Sequence, residues 1–144
     1  MIQKNNFKKN FYENKVKPYF KYELEAAKRI SLKFNVDILN TNNDNKFDFV
    51  DNNSIKYEVK TDIMSNITNN FYIEFEGYGK PSGISITEAN FYIINDTINY
   101  YLIETDKLKL LCETYSKMVK LTKDGSTKGY VVCKNLICNN ARSI

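Results

Sequence analysis

Apolar residues recur along this chain with two spacings, and the switch between them lays out a mixed α/β order. From Pro18 to Phe34, in PYFKYELEAAKRISLKF, Tyr19, Tyr22, Ala26, Ala27, Ile30 and Phe34 fall at three- and four-residue steps. That spacing predicts a helix with one buried face. The period then shortens to two. NKFDFV reads as a strand, DNNS as a turn rich in Asp and Asn, and IKYEVKT as a second strand, together an antiparallel hairpin. FYIEFE is a third strand, and EGYGKPSGIS after it is a glycine-rich loop. Within SITEAN, Ser85 or Thr87 can cap one helical turn, with Glu88 near its positive end. FYIIND is a continuous apolar run, the mark of a buried strand, and NYYLIET is another strand. DKLKLLCETY predicts a short helix with Leu108, Leu111 and Cys112 inward, and KMVKLTKDGSTKGYVVCKNLI a closing hairpin that turns at DGST. The expected fold is α/β: one mixed β-sheet flanked by helices, with a C-terminal β-hairpin, in a single domain over residues 1–144. Residues 1–17 are either a basic arm or an extra helix.

The composition excludes most by what it lacks. The 144 residues include no histidine. That removes Ser-His-Asp and Cys-His nucleophiles, His-ligated zinc, iron or copper, and imidazole bases. Acid–base or metal chemistry is left to carboxylates, lysines, tyrosines, hydroxyls and thiols. The three cysteines, Cys112, Cys133 and Cys138, form no CxxC and read as reduced thiols, which points to a cytoplasmic rather than a secreted protein. The first residues, MIQKNNFKKNFYENK, are basic but carry no apolar stretch, so no secretory signal is expected. No apolar run approaches the roughly 18 residues that cross a bilayer, and no membrane partner is expected.

Charge is distributed unevenly. Residues 1–33 carry nine basic and three acidic side chains, residues 34–116 six and thirteen, and residues 117–144 six and one, for a net charge of +4. An acidic centre between basic ends suits a cation site flanked by surfaces that attract a polyanion. Solvated lysine-rich ends around a chance acidic cluster give the same tally.

The strand period of two narrows the choice. In IKYEVK it places Lys56, Glu58 and Lys60 on one face and Ile55, Tyr57 and Val59 on the other, the natural core side. Asp48 alternates with Phe47 and Phe49 in the same way, so a hairpin closed by DNNS sets Asp48 beside Glu58. Two carboxylates held close repel each other, and a divalent cation relieves the repulsion. All-oxygen ligands without histidine point to Mg²⁺ or Mn²⁺. Lys60, on the same face, is placed to orient or deprotonate a water, or to offset charge at a phosphorus centre. The alternative is a solvated strand face of alternating charge.

Asp48, nine residues, Glu58, one residue and Lys60 together resemble the signature of the PD-(D/E)xK nuclease superfamily, with Phe47-Asp48 in place of the usual Pro-Asp. The order of a helix, the Asp strand, the ExK strand and further strand and helix is also similar. The resemblance implies a restriction-endonuclease-like fold and a Mg²⁺-dependent endonuclease hydrolysing DNA to 5′-phosphate and 3′-hydroxyl ends. Asp48, Glu58 and Lys60 would be catalytic, and Asp48, Glu58 and the Val59 carbonyl would hold the metal. A finer resemblance is to the small archaeal and viral Holliday junction resolvases, which implies branched DNA as substrate and a homodimer. In those enzymes a Glu on the first helix reaches the metal. Of Glu23 and Glu25, Glu23 is the better match, because its three- and four-residue neighbours are apolar; its other reading is an ion pair with Lys28 or Arg29. Tyr100–Ile103 and the C-terminal hairpin are the candidate dimer surfaces.

FYIEFEGYGKPSGISITEANFYII further resembles a stretch of small phage-type nucleases. Tyr72, Glu74 and Glu76 share one face of its strand. Glu74 either joins the acidic cluster, holding Lys60, or pairs with a lysine across the sheet. Lys80 and Ser82, in the glycine-rich loop, are placed to donate to a DNA phosphate. DNA attraction elsewhere falls to Lys8, Lys9, Lys17 and Lys21 and to Lys117, Lys120, Lys123 and Lys128. These are point charges suited to backbone contact rather than base reading. Phe7, Phe11 and Tyr12 either stack on exposed bases or pack against the domain. GxxxxGK[ST] is absent, so no nucleotide cofactor is expected. Two other readings use the same residues: a restriction, repair or nicking nuclease on duplex or single-stranded DNA, or a catalytically inactive DNA- or protein-binding module.

Overall fold

The computed structural model describes residues 20–39 and 46–144. The expected arm over residues 1–17, including Lys8, Lys9 and Lys17, lies outside them. Helix α1 spans Phe20–Phe34. It is followed by β1 (Ile38–Leu39), β2 (Phe49–Asp51) and β3 (Lys56–Thr61). Then come the short helix α2 (Ser65–Thr68), β4 (Asn70–Gly77), β5 (Lys80–Pro81) and a 3₁₀ turn over Gly83–Ser85. The chain continues through β6 (Phe91–Asn95), β7 (Tyr100–Glu104) and α3 (Thr105–Tyr115). It ends with β8 (Met118–Leu121), β9 (Thr127–Cys133), α4 (Lys134–Asn140) and β10 (Arg142–Ser143).

These strands form two sheets rather than the single one expected. The first is mixed, ordered β1-β2-β3-β6-β7-β10, and the second is ordered β5-β4-β9-β8. Among the described residues only β3 and β6 run parallel, and every other pair is antiparallel. A parallel pair needs a long crossover, and here the crossover from β3 to β6 carries β4 and β5 out into the second sheet. FYIEFE therefore does not join the hairpin that precedes it.

The first sheet buries both faces. On one side Ala26, Ala27 and Ile30 of α1 pack on Phe49, Tyr57, Val59 and Ile93. The Phe49 and Tyr57 rings stack at 4.9 Å, and Tyr57 donates its hydroxyl proton to Asp51 Oδ2 (2.8 Å). On the other side Tyr92, Ile94 and Ile103 meet Phe71, Ile73 and Val132 of the second sheet and Leu108, Leu111 and Cys112 of α3. Each such large apolar side chain contributes about 1.5–3 kcal/mol by leaving water. Adjacent β6 residues thus serve different cores, which explains the unbroken apolar run FYII.

Two local expectations are corrected. SITEAN holds no helical turn: the 3₁₀ turn ends at Ser85, and Thr87 donates its hydroxyl to the Lys46 carbonyl (3.0 Å) while accepting from Ala89 N–H (3.1 Å). The close approach of Gly83 to Glu74 sets this path. Gly83 sits at φ +52°, and a Cβ there would collide with the Glu74 carbonyl. The closing hairpin is β8–β9, but it stops at Cys133, and KNLICNN forms α4 instead, with Ile137 fully buried. Among the described residues no helix is long and apolar enough to cross a membrane.

Candidate active site

Asp48 immediately precedes β2, where the ladder with β3 changes character. Phe49 pairs with Tyr57 and Val50 with Lys56. At Asp48 the backbone N–H still donates to the Tyr57 carbonyl (2.8 Å), but Val59 N–H donates to the Asp48 carboxylate (2.7 Å) instead of to a backbone carbonyl. The side chain thus replaces a rung of the ladder and fixes its own position, 6 % exposed. Because Phe49 points into the α1 core, Asp48 points to the opposite side. Tyr57 and Val59 are buried against α1, so Glu58 and Lys60 alternate to that side as well.

There Lys60 Nζ lies 3.2 Å from Glu58 Oε1. Burial works to lower the pKa of this ammonium, but the charges of Glu58, Asp48 and Glu74 outweigh it and raise it, so Lys60 is held cationic. Three of the expected residues therefore act on a fourth: Asp48, Glu58 and Glu74 all bear on Lys60. Glu74 reaches across from the second sheet and accepts the Ser82 hydroxyl proton (2.8 Å). The cross-strand lysine pair falls instead to Glu76, 3.4 Å from Lys128 Nζ beyond a bulge in β4. Glu74 thus accepts from Ser82 while its charge bears on Lys60.

The remaining expected residues are more scattered. Glu23 is 6 % exposed on the α1 face that carries Ala26, Ala27 and Ile30. Arg29 pairs with Glu25 (3.1 Å). Lys80 is exposed on β5, while Ser82 spends its hydroxyl proton on Glu74. Lys21 is exposed, its Nζ 5.0 Å from the Tyr22 ring centroid. As a dimer surface Tyr100–Ile103 fails, because β7 lies between β6 and β10 with Tyr100, Leu102 and Ile103 buried. β8, by contrast, is an edge strand exposed along its whole length.

Two features were not anticipated. Tyr92 pairs in register with Glu58 and is fully buried. Burial, then the Glu58 and Asp48 charges, push its phenol far above the ordinary range and keep it protonated. The apolar run FYII gave no sign that its tyrosine would face the carboxylates. A pocket of about 560 Å³ also opens beside Lys60 and Glu74, lined from β3, α2, β4 and the β8–β9 hairpin. Nothing in the hydrophobic pattern places that hairpin next to β3.

For a metal, the donor set is two carboxylates, Asp48 and Glu58, with the Val59 carbonyl adjacent to both in sequence or hydrogen bonding. All are oxygen donors, the chemistry Mg²⁺ and Mn²⁺ prefer. Among the described residues no three His, Cys, Asp or Glu side chains group as a metal cage. One or two carboxylates with waters and substrate phosphates completing the shell is the usual arrangement for Mg²⁺, so the donors fit. No family model matches the chain. No curated protein matches it either.

Proposed function

We propose that this protein is a Mg²⁺- or Mn²⁺-dependent endonuclease that hydrolyses phosphodiester bonds in DNA, branched DNA of the four-way-junction kind in particular. The observation that carries this reading is the shared environment of Lys60. Its ammonium is 3.2 Å from Glu58 and under the charge of Asp48, which is itself locked to Val59 N–H. Asp48, Glu58 and the Val59 carbonyl would hold the cation. The bound cation would supply positive charge to the phosphate and to the oxygen that attacks it.

The chain's own groups do the rest. Lys60 donates a hydrogen bond to the attacking water and aligns it with phosphorus. As that water adds to phosphorus it releases a proton to solvent, the bond to the 3′ oxygen breaks, the departing oxygen takes a proton from solvent, and 5′-phosphate and 3′-hydroxyl ends remain. Charge building on the phosphate oxygens is offset by the same ammonium. Glu74, braced by Ser82, keeps Lys60 over the site. A junction has two-fold symmetry, so a homodimer would present two such sites.

The test is cleavage of end-labelled four-way junction, flap, duplex and single-stranded DNA with Mg²⁺ or Mn²⁺. Metal-dependent cuts are expected, lost in Asp48→Ala and Lys60→Ala while DNA binding persists. Cleavage in EDTA, or cleavage that survives either substitution, would refute the mechanism. Equal cutting of linear duplex would keep the nuclease and discard the junction preference.

A further inference from the structure

The pocket beside Lys60 has a lining that ordinary duplex contact does not require. Its floor is Phe71 and Ile94, both buried, and its sides include Tyr72, Met64 of α2 and Met118 of β8. Its cationic groups are Lys60, Lys120 and Lys123, and Thr122 adds a hydroxyl. Lys120 and Lys123 are exposed, and among the described residues neither joins an ion pair. At about 560 Å³ the space falls within the about 300–1,000 Å³ typical of small-ligand sites.

Tyr72 is a prepared wall. Its ring lies over Gly129 of β9, where any Cβ would collide with it, and its hydroxyl is hydrogen-bonded to Thr127 Oγ1 (2.9 Å). Its backbone N–H is held by Asp62 Oδ2 (2.9 Å). An aromatic ring fixed in this way loses little entropy when a flat ring stacks on it.

A second copy of the chain is the obvious rival occupant, through the open edge of β8. Charge argues against it, because Lys117, Lys120 and Lys123 would meet their own equivalents across such an edge. The same lysines complement a phosphate backbone. Resting on the nuclease reading of the adjoining site, we propose that this pocket receives one unpaired nucleotide next to the scissile phosphate. Its base lies among Tyr72, Met64 and Met118, and its phosphates lie on Lys120 and Lys123. The substrate class is then DNA with a single-stranded or opened segment at the cut, such as a flap or an unstacked junction.

The experiment is fluorescence anisotropy of 5′-fluorescein dT12 in EDTA, so that binding is read without catalysis. The wild-type protein should hold dT12 at least 10-fold tighter than a 12-base-pair duplex. Lys120→Glu/Lys123→Glu should weaken dT12 at least 10-fold and reduce the salt slope by about 1.4, the share of two single-strand phosphates. Lys107→Glu/Lys109→Glu on α3 is the matched control and should change binding less than 3-fold. A 2-aminopurine within the oligonucleotide should change its emission on binding. Equal duplex affinity, equal loss in both double variants, an unchanged 2-aminopurine signal, or competition by free dTMP as strong as by dT12 would each overturn the pocket. If Asp48→Asn abolishes cleavage while these binding results fail, the nuclease stands and the pocket falls. Intact dT12 selectivity without cleavage of any DNA gives the reverse.

Discussion

Two partly buried ionic clusters among the described residues are built from the same residue types and are organised in opposite ways. In one, Asp96 in the β6–β7 turn meets Lys134 at the start of α4 at 2.6 Å. Asp96 Oδ1 also accepts the N–H groups of Ile98 (3.0 Å) and Asn99 (2.7 Å). Lys134 donates to Asn66 Oδ1 (3.3 Å) and lies 5.5 Å from the Phe71 ring centroid. One carboxylate faces one ammonium, and surrounding dipoles saturate both. In the other, three carboxylates from β3, β4 and the approach to β2 bear on Lys60. The first arrangement closes a joint between α2, the β6–β7 turn and α4. The second gathers negative charge around one ammonium, which costs stability unless a further cation shares it. A balanced pair is explained by the fold alone; the gathering around Lys60 asks for a function.

Substitutions should separate the two. Asp48→Asn preserves an acceptor for Val59 N–H while removing charge, so cleavage should fall at least about 10³-fold, or about 4 kcal/mol of barrier, with the melting temperature nearly unchanged. A large loss of stability would mean that Asp48, like Asp96, is structural. Lys134→Met leaves the Asp96 carboxylate buried without its ammonium and should destabilise the fold by about 3 kcal/mol in urea titration, with cleavage by the folded protein intact.

Acid should tell on the Asp96 pair next. Burial alone would raise the Asp96 carboxyl pKa, but the Asn99 N–H, Lys134 and the Ile98 N–H pull it down to about 2, against the ordinary 3.8. A lowered folded-state pKa contributes stability that is complete above about pH 4 and is lost as pH falls toward 2. The stability gap between wild type and Asp96→Asn should therefore be widest near neutrality and close between pH 4 and 2. A gap that widens on acidification would contradict the assignment. The smallest effect belongs to the surface: Glu76→Gln, which breaks a half-exposed pair with Lys128, should cost no more than about 0.5 kcal/mol.

The residues around Lys60 were legible because strand alternation is local. IKYEVK and KFDF each declare their two faces within six residues, and a short turn brings them together. α1 was legible for the same reason, as were the inward Leu108, Leu111 and Cys112 of α3. The division into two sheets was not, because the alternation in FYIEFE says which side is apolar and nothing about which strand is its neighbour. KNLICNN continues an apolar run that suits a strand or a helix equally, and the burial of Ile137 decides it. The 3₁₀ turn follows from Gly83 lying against the Glu74 carbonyl, a contact between two segments. The pocket depends on a hairpin some sixty residues beyond Lys60, a distance at which pattern carries no information.

The most direct measurement is calorimetric titration of Mn²⁺ into the wild-type protein, Asp48→Asn, Glu58→Gln and Asp96→Asn. Saturable binding should appear in wild type and in Asp96→Asn, and should weaken at least 10-fold in Asp48→Asn and Glu58→Gln. Binding that is the same in all four proteins, or that is lost only with Asp96, would contradict the assignment of the cation to the carboxylates around Lys60.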